Sequence, residues 1–514
     1  MSSSPRGCVA AGHPLTAEAA LKVLEAGGNA VDAAIAALCM SCVAEPSLCS
    51  LGGGAFCLVR TADGEARLYD FFVHTPICKR EREGLDFQPI VADFGAAQQE
   101  FHIGLGSAAT PGLARGIFAV HRAHGALPMA EVMAPAIAAA RKGMILTSFQ
   151  SYIMQVIAPI LRHSAASRAI FTRGDAAGTI LQAGDFFANA ELGGLFEAMA
   201  YEGDRLFYEG EIAASIERLS REHGGHLTRE DLRAYQVIVR EPLRLRYRGA
   251  ELLTNPPPSS GGLLIAFGLA LLAGRDLKAL PFGQAEYAAL LAEVQAATQR
   301  ARGRHGAIPI LLDPEVIAEA MAELEAAPLA TRGTTHLSVI DRDGNAAAIT
   351  ASNGEGCGYM VPGTGTMLNN MLGEEDLNPG GFHAWAPATR MASMMSPTAV
   401  LGDDGGLMVL GSGGSKRIRS AILQVLVNRL DHGMSIAEAV AAPRLHFDDG
   451  HLNVEPGLSA AAYERLAALF TEHTFWPATN MFFGGVHAVV REPDGALHGA
   501  GDPRRQGVCL DRLG

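Results

Sequence analysis

The sequence predicts an α+β protein built in layers, and three observations carry that expectation. The N-terminal part is Ala-rich with apolar residues at helical spacing. The last third is made of short strand-like runs separated by Asp-Gly turns. Helices lie between and after the strand groups with no regular βαβ alternation, which favours a layered sandwich. At 514 residues, 48% of them hydrophobic and 18% charged, the chain can bury a sizeable core in one large domain or several smaller ones.

Residues 15–26 place apolar side chains three and four apart, Gly27-Gly28 stops that helix, and Asn29 caps a second one with Asp32 three residues on. Residues 56–59 and 66–72, split by Ala62-Asp63-Gly64, read as a strand hairpin. Residues 113–144 return to helix, with Pro135 expected to open a new one. Residues 148–249 read as helices mixed with polar turns, and three prolines stiffen the loop at 256–262. The apolar stretch 261–274 is too short to cross a bilayer and reads as a buried helix. A helix follows Glu315; then residues 335–340, 346–350, 367–368, 398–401 and 407–410 read as strands. Helix 418–430, an Ala/Leu-rich stretch at 458–469 and a strand at 486–490 close the pattern.

Charge and cysteine usage exclude several classes. With 41 basic and 54 acidic side chains the net charge is −13, which repels phosphate backbones and argues against nucleic acid as a partner. The segment MSSSPRGCVAAGHPL has no continuous apolar run, so a soluble cytoplasmic protein is expected, with no membrane partner. The eight cysteines are scattered, and no disulfide framework is expected. Cys39 and Cys42 form a C-x-x-C with no second pair at zinc spacing, so they read as core thiols.

Two fragments carry weak chemistry. Gly411 to Arg417, GSGGSKR, lacks nucleotide-loop spacing but offers backbone N–H groups for an anion or oxyanion. His446, Asp448, Asp449 and His451 could suggest a metal, yet they read better as solvated loop polarity, and no metal is expected. The stretch RGTTHLSVIDRDGN, Arg332 to Asn345, is more informative. In the plain reading it is a Thr-rich strand ending in a hairpin turn. In the chemical reading Thr334 becomes a new N-terminus whose own α-amino group serves as base for its hydroxyl, at the start of a strand that fixes where the nucleophile points.

With these pieces in view, the chain resembles the gamma-glutamyltransferase family of N-terminal-nucleophile hydrolases. The matching segments occur in the family's order: AGHPLTAEAALKVLEAGGNAVDAAIA, EPSLCSLGGGAFCLV, GSAATPGLARGIFAVHRAHGALPMAEVMAPAIAAARKG, DLRAYQVIVREPLRLRYRG, NPPPSSGG, TTHLSVIDRDGNAAAIT, GTMLNN, SMMSPTAV, GSGGSKRI and GDPRRQG. The resemblance implies a four-layer αββα sandwich and a proenzyme that cuts itself between Gly333 and Thr334. Fragments 1–333 and 334–514 would stay together, with further homo-oligomerisation open, and no cofactor would be required.

The resemblance also assigns roles. Thr334 matches the nucleophile and Ser352 the residue that hydrogen-bonds it. Asn353 fits the site asparagine, Ser393 matches the first of two paired serines, and Gly413, Gly414 and Ser415 fall at the oxyanion hole. The grip on a glutamyl head departs from the family. Phe72 stands where an arginine reads the α-carboxylate, Met371 follows Asn370 where the α-amino group is held, the acid moves to Glu374, and Met394 replaces the second serine. A site without its charged group loses discrimination for that group. Arg80 and Arg82 are the nearest arginines in sequence to compensate.

The expected function is therefore a self-processing amidohydrolase or acyltransferase that passes a gamma-glutamyl or related acyl group to water or an amine. The alternative within the family is an acylase acting on a non-glutamyl group, resembling cephalosporin acylases or oxamate amidohydrolases. A relative that stays uncut and serves as a binding or scaffold protein is the alternative from another class.

Overall fold

The computed structural model describes residues 5–93, 98–306, 308–322, 334–378 and 380–512. Two antiparallel sheets organise it. The larger has seven strands in the order Val508–Leu510, Gly7–Ala11, Thr335–Asp341, Ala346–Ser352, Gly54–Arg60, Ala66–Phe71, Ile238–Arg240. The second has six, in the order Leu497–Ala500, Gly485–Arg491, Leu407–Gly413, Thr398–Leu401, Ala250–Thr254, Leu243–Tyr247. Each sheet takes strands from both sides of Thr334, so fragments cut there would remain interleaved.

The central strands of the two sheets pack on each other: Thr335–Asp341 touches both Gly485–Arg491 and Leu407–Gly413. Strand alternation divides their side chains between two cores. Leu337, Val339 and Ile349 join a core built with helices Pro14–Glu25 and Ala30–Ala44. Ile340, Ala346 and Ala348 join another with Val409, Val489 and helices Gly261–Ala273 and Arg417–Leu430. Because both faces of Thr335–Asp341 and Ala346–Ser352 are covered, every residue in them is buried, polar ones such as His336 and Ser338 included.

Asn29 caps Ala30–Ala44 as expected: its Oδ1 accepts from the Val31 and Asp32 N–H groups at 2.9 and 3.0 Å, and Asp32 accepts from the Asn29 N–H at 3.1 Å. Pro135 does not open a helix. It lies inside Met129–Lys142, which carries on through it because Val132, Met133, Ala136 and Ala140 are buried on one side against helix Ala190–Glu202. Within the region read as helices and turns, Ile238–Arg240 and Leu243–Tyr247 are strands at sheet edges, and Ala250–Thr254, just beyond it, joins the latter to Thr398–Leu401. The helix after Glu315 is Pro314–Ala322; its expected continuation and Gly333 lie outside the described residues. Among the described residues no helix is long and apolar enough to cross a membrane.

Candidate active site

Thr334 directly precedes the central strand Thr335–Asp341 and is buried. The strand places it by pairing: Thr335 stands opposite Ala351, which leads into Ser352 at the end of the neighbouring strand. Three buried groups fix the start of that strand. The Thr335 hydroxyl donates to Glu45 at 2.7 Å, and the same carboxylate accepts from Thr16 at 2.9 Å. Burial pushes the Glu45 carboxyl up, opposed by those two hydroxyls. Arg505 donates to the Thr334 carbonyl at 2.6 Å, and burial lowers its guanidinium to about 10. His336 bridges Thr350 at 2.8 Å and Ser338 at 3.0 Å, and burial keeps its imidazole neutral, well below the usual value.

The glycine segment lies against this start. A Cβ on Gly413 would come within 1.8 Å of the Thr334 carbonyl oxygen, so only glycine lets the two backbones approach. Gly414 follows with φ +117° and Ser415 with φ +50°, a left-handed turn between strand Leu407–Gly413 and helix Arg417–Leu430. Among the described residues neither the Gly414 nor the Ser415 N–H is engaged in a hydrogen bond. Two free backbone donors beside Thr334 are what an oxyanion would require.

Thr334 opens into a cavity of about 290 Å³. The expected residues Phe72, Ser352, Met371, Glu374, Ser393, Met394 and Ser415 all line it. Asn353, Gly413 and Gly414 are not among the lining residues. Asn353 is buried with its Oδ1 unpartnered among the described residues, next to a loop whose Glu355 and Gly356 N–H groups donate to Asn370. Ser352 accepts from the Gly354 N–H at 3.0 Å. The Ser393 carbonyl accepts from Ser259 at 2.6 Å and from the Ser260 N–H at 2.9 Å, which ties the proline loop to the cavity wall.

Phe72 stacks on Phe56 with centroids 5.5 Å apart, so this wall is apolar. Arg82 donates to the Phe382 carbonyl at 3.1 Å and lines a different cavity, and Arg80 does not reach this one. Among the described residues Arg302, from helix Ala285–His305, is the arginine that lines it. Arg302 and Arg505 went unrecognised in the sequence, because a helix far along the chain and a C-terminal turn meet Thr334 only through the fold.

The expectation for residues 446–451 needs correction. They form a hairpin of Leu445–Asp448 and His451–Val454, in which His446 and Asp448 are buried. Asp448 accepts from Arg419 at 2.7 Å and pairs with Lys416 at 3.1 Å, while burial lifts its carboxyl to about 6. Lys416 also pairs with Asp376 at 3.2 Å, so cations of the protein itself neutralise this acid group, next to Ser415. Among the described residues no group of three metal-ligating side chains is present.

The family model for gamma-glutamyltranspeptidase matches residues 16–511. The chain belongs to that family. This gamma-glutamyltranspeptidase family member is 32% identical over 536 residues to a glutathione hydrolase proenzyme of Escherichia coli, covering 97% of the chain and 90% of the relative. It is equally 32% identical, over 531 residues, to an acylase proenzyme of a Pseudomonas species, covering 98% and 93%. Its fold superposes on a cephalosporin acylase structure from Bacillus halodurans with TM-score 0.86 at 25% identity, over 99% and 96% of the two chains. Members of the family act on amides as hydrolases and acyl-transfer enzymes, and this chain is an enzyme of that kind.

Proposed function

We propose that Thr334 is the nucleophile of a self-maturing amidohydrolase whose fragments 1–333 and 334–514 share a four-layer αββα sandwich. One observation carries the reading: Thr334, at the head of a central strand, faces a cavity it shares with Ser352, Ser393 and Ser415. In maturation the Thr334 hydroxyl attacks the Gly333 carbonyl, and water hydrolyses the resulting ester. The freed α-amino group, with an ordinary pKa of about 7.7–8.0, then takes the hydroxyl proton in each turnover. The hydroxyl adds to an amide carbonyl, and the Gly414 and Ser415 N–H groups receive the developing negative charge. The amine leaves, and water or another amine accepts the acyl group from Thr334.

The acyl specificity favours the acylase reading over a strict gamma-glutamyl one. Phe72, Met371, Met394 and Met395 make the wall apolar, and Arg302 supplies a cation from a different element than the family's arginine. The preferred acyl group is short and apolar, with a carboxylate at its far end. A denaturing gel with N-terminal sequencing tests the maturation. Wild type should give two fragments, the smaller starting at Thr334, and Thr334→Ala should give one uncut chain. A small fragment beginning elsewhere, or cleavage in Thr334→Ala, removes the assignment.

A further inference from the structure

Far from the catalytic cavity, the sulfurs of Cys8 and Cys509 lie 3.3 Å apart, although 501 residues separate them in sequence. They belong to the neighbouring antiparallel strands Gly7–Ala11 and Val508–Leu510, where Ala10 faces Cys509 and Val9 faces Leu510. Cys8 and Cys509 are therefore diagonal neighbours on one face of the sheet, within reach of each other. The third strand at this point supplies Gly499. A Cβ there would lie 2.5 Å from the Cys509 sulfur and 3.3 Å from that of Cys8, so the pair occupies room that a side chain would take. Both cysteines line a surface cavity of about 500 Å³, and Cys509 is half-buried, so small oxidants can reach them. The other close pair, Cys42 and Cys49 at 3.5 Å, is wholly buried and lies on one side of Thr334.

We propose that Cys8 and Cys509 are a cross-linking site: on oxidation by a hydroperoxide they form a disulfide that joins the two self-derived fragments covalently. The linkage of fragments rests on the maturation reading above, whereas formation of the bond does not. A hydrogen bond from Cys8 holds the Cys509 thiol below its ordinary value, which makes Cys509 the attacking sulfur. Its thiolate attacks the peroxide oxygen, the O–O bond breaks, and the released alkoxide takes a proton to leave as alcohol, or as water from hydrogen peroxide. The resulting Cys509 sulfenic acid is attacked by the Cys8 sulfur, an S–S bond forms, the S–O bond breaks, and hydroxide leaves with the Cys8 proton as water. Two thiols are oxidised and one hydroperoxide is reduced.

The experiment treats the mature protein with hydrogen peroxide, blocks remaining thiols by alkylation, and runs a denaturing gel with and without dithiothreitol. Most of the oxidised wild type should migrate as one full-length band without reductant and as two fragments with it. Cys8→Ser and Cys509→Ser should each stay as two bands in both lanes. The uncut Thr334→Ala chain, oxidised and digested, should yield a peptide joining Cys8 to Cys509 with the loss of two hydrogens, whether or not maturation is read correctly. Two bands from oxidised wild type, or absence of the joined peptide in Thr334→Ala, overturns the proposal.

Discussion

The Arg505 guanidinium donates to the Thr334 carbonyl at 2.6 Å, so the residue that starts the central strand is held by a buried cation from near the C-terminus. Glu45, which grips the next residue, lies within the electrostatic reach of the same cation. Removing Arg505 strands a buried carbonyl and leaves Glu45 without its counter-charge. A charge-assisted hydrogen bond of this kind is worth about 1.5–3 kcal/mol. Arg505→Ala should slow the appearance of the two fragments at least ~10-fold by that arithmetic, with Arg505→Lys intermediate. A time course of fragment formation on a gel checks it, and wild-type kinetics in Arg505→Ala would show that the contact does not position Thr334.

Gly413 gives the sharpest steric test. Its added methyl would meet the Thr334 carbonyl oxygen at 1.8 Å and its carbon at 2.7 Å, and neither neighbour is a flexible side chain. Gly413→Ala should abolish maturation or leave a mature enzyme with little activity, at a stability cost of about 1–3 kcal/mol for overpacking. Gly274→Ala, where a Cβ meets nothing within 4 Å, is the matched control and should behave as wild type. An active, fully cut Gly413→Ala would mean that the two backbones can separate without consequence.

How much of this was legible in the sequence depends on how locally each feature is determined. The Asn29 cap and the strand after Thr334 follow from short-range pattern, and the structure has both. Pro135 misled because tertiary packing of Val132 and Met133 outweighs a missing N–H. Strand Leu243–Tyr247 alternates Leu and Arg, yet the charges hid an edge strand. Buried acids such as Asp448 look like solvated polarity until Arg419 and Lys416, distant in sequence, are placed beside them. Phe72, Met371 and Met394 were legible as an altered cavity wall, whereas Arg302 was not, since nothing local marks a helical arginine as facing a pocket.

Acid should destabilise this protein from near neutrality. Burial lowers His13, His74, His226 and His487 to about 4, and pushes His336 well below its usual value. Between the unfolded value of about 6.5 and the folded values, the unfolded chain binds protons that the folded chain refuses, so stability falls as pH falls. Asp448, raised to about 6 by burial, and Glu45, also pushed up by burial, oppose this by taking up protons in the folded state, but the buried histidines outnumber them. Each histidine can contribute up to about 1.4 kcal/mol per pH unit in that window. The melting temperature should drop steadily from pH 7 to pH 5, and a flat profile over that range would contradict the buried neutral histidines.

Substrate choice turns on Arg302. It lines the cavity beside Phe72 and Met394, and its guanidinium pairs with no carboxylate among the described residues. Asp376, an acid of the same cavity, is instead neutralised by Lys416 at 3.2 Å. A substrate carboxylate reaching Arg302 gains a charge-assisted contact worth about 1.5–3 kcal/mol, or one to two decades in kcat/KM. Glutaryl anilide should therefore exceed butyryl anilide, which lacks that carboxylate, by about this factor. Arg302→Ala should erase the difference by lowering the glutaryl value alone. A gamma-glutamyl anilide adds an ammonium group that must sit among Phe72, Met371 and Met394, with Glu374 on the same cavity wall, so it should be a poorer substrate than the glutaryl compound. Phe72→Arg should narrow that gap by restoring a cation at the family's position. If wild type prefers the glutamyl compound by orders of magnitude, Glu374 reads the amino group well enough to outweigh the apolar wall, and Glu374→Gln should then collapse that preference.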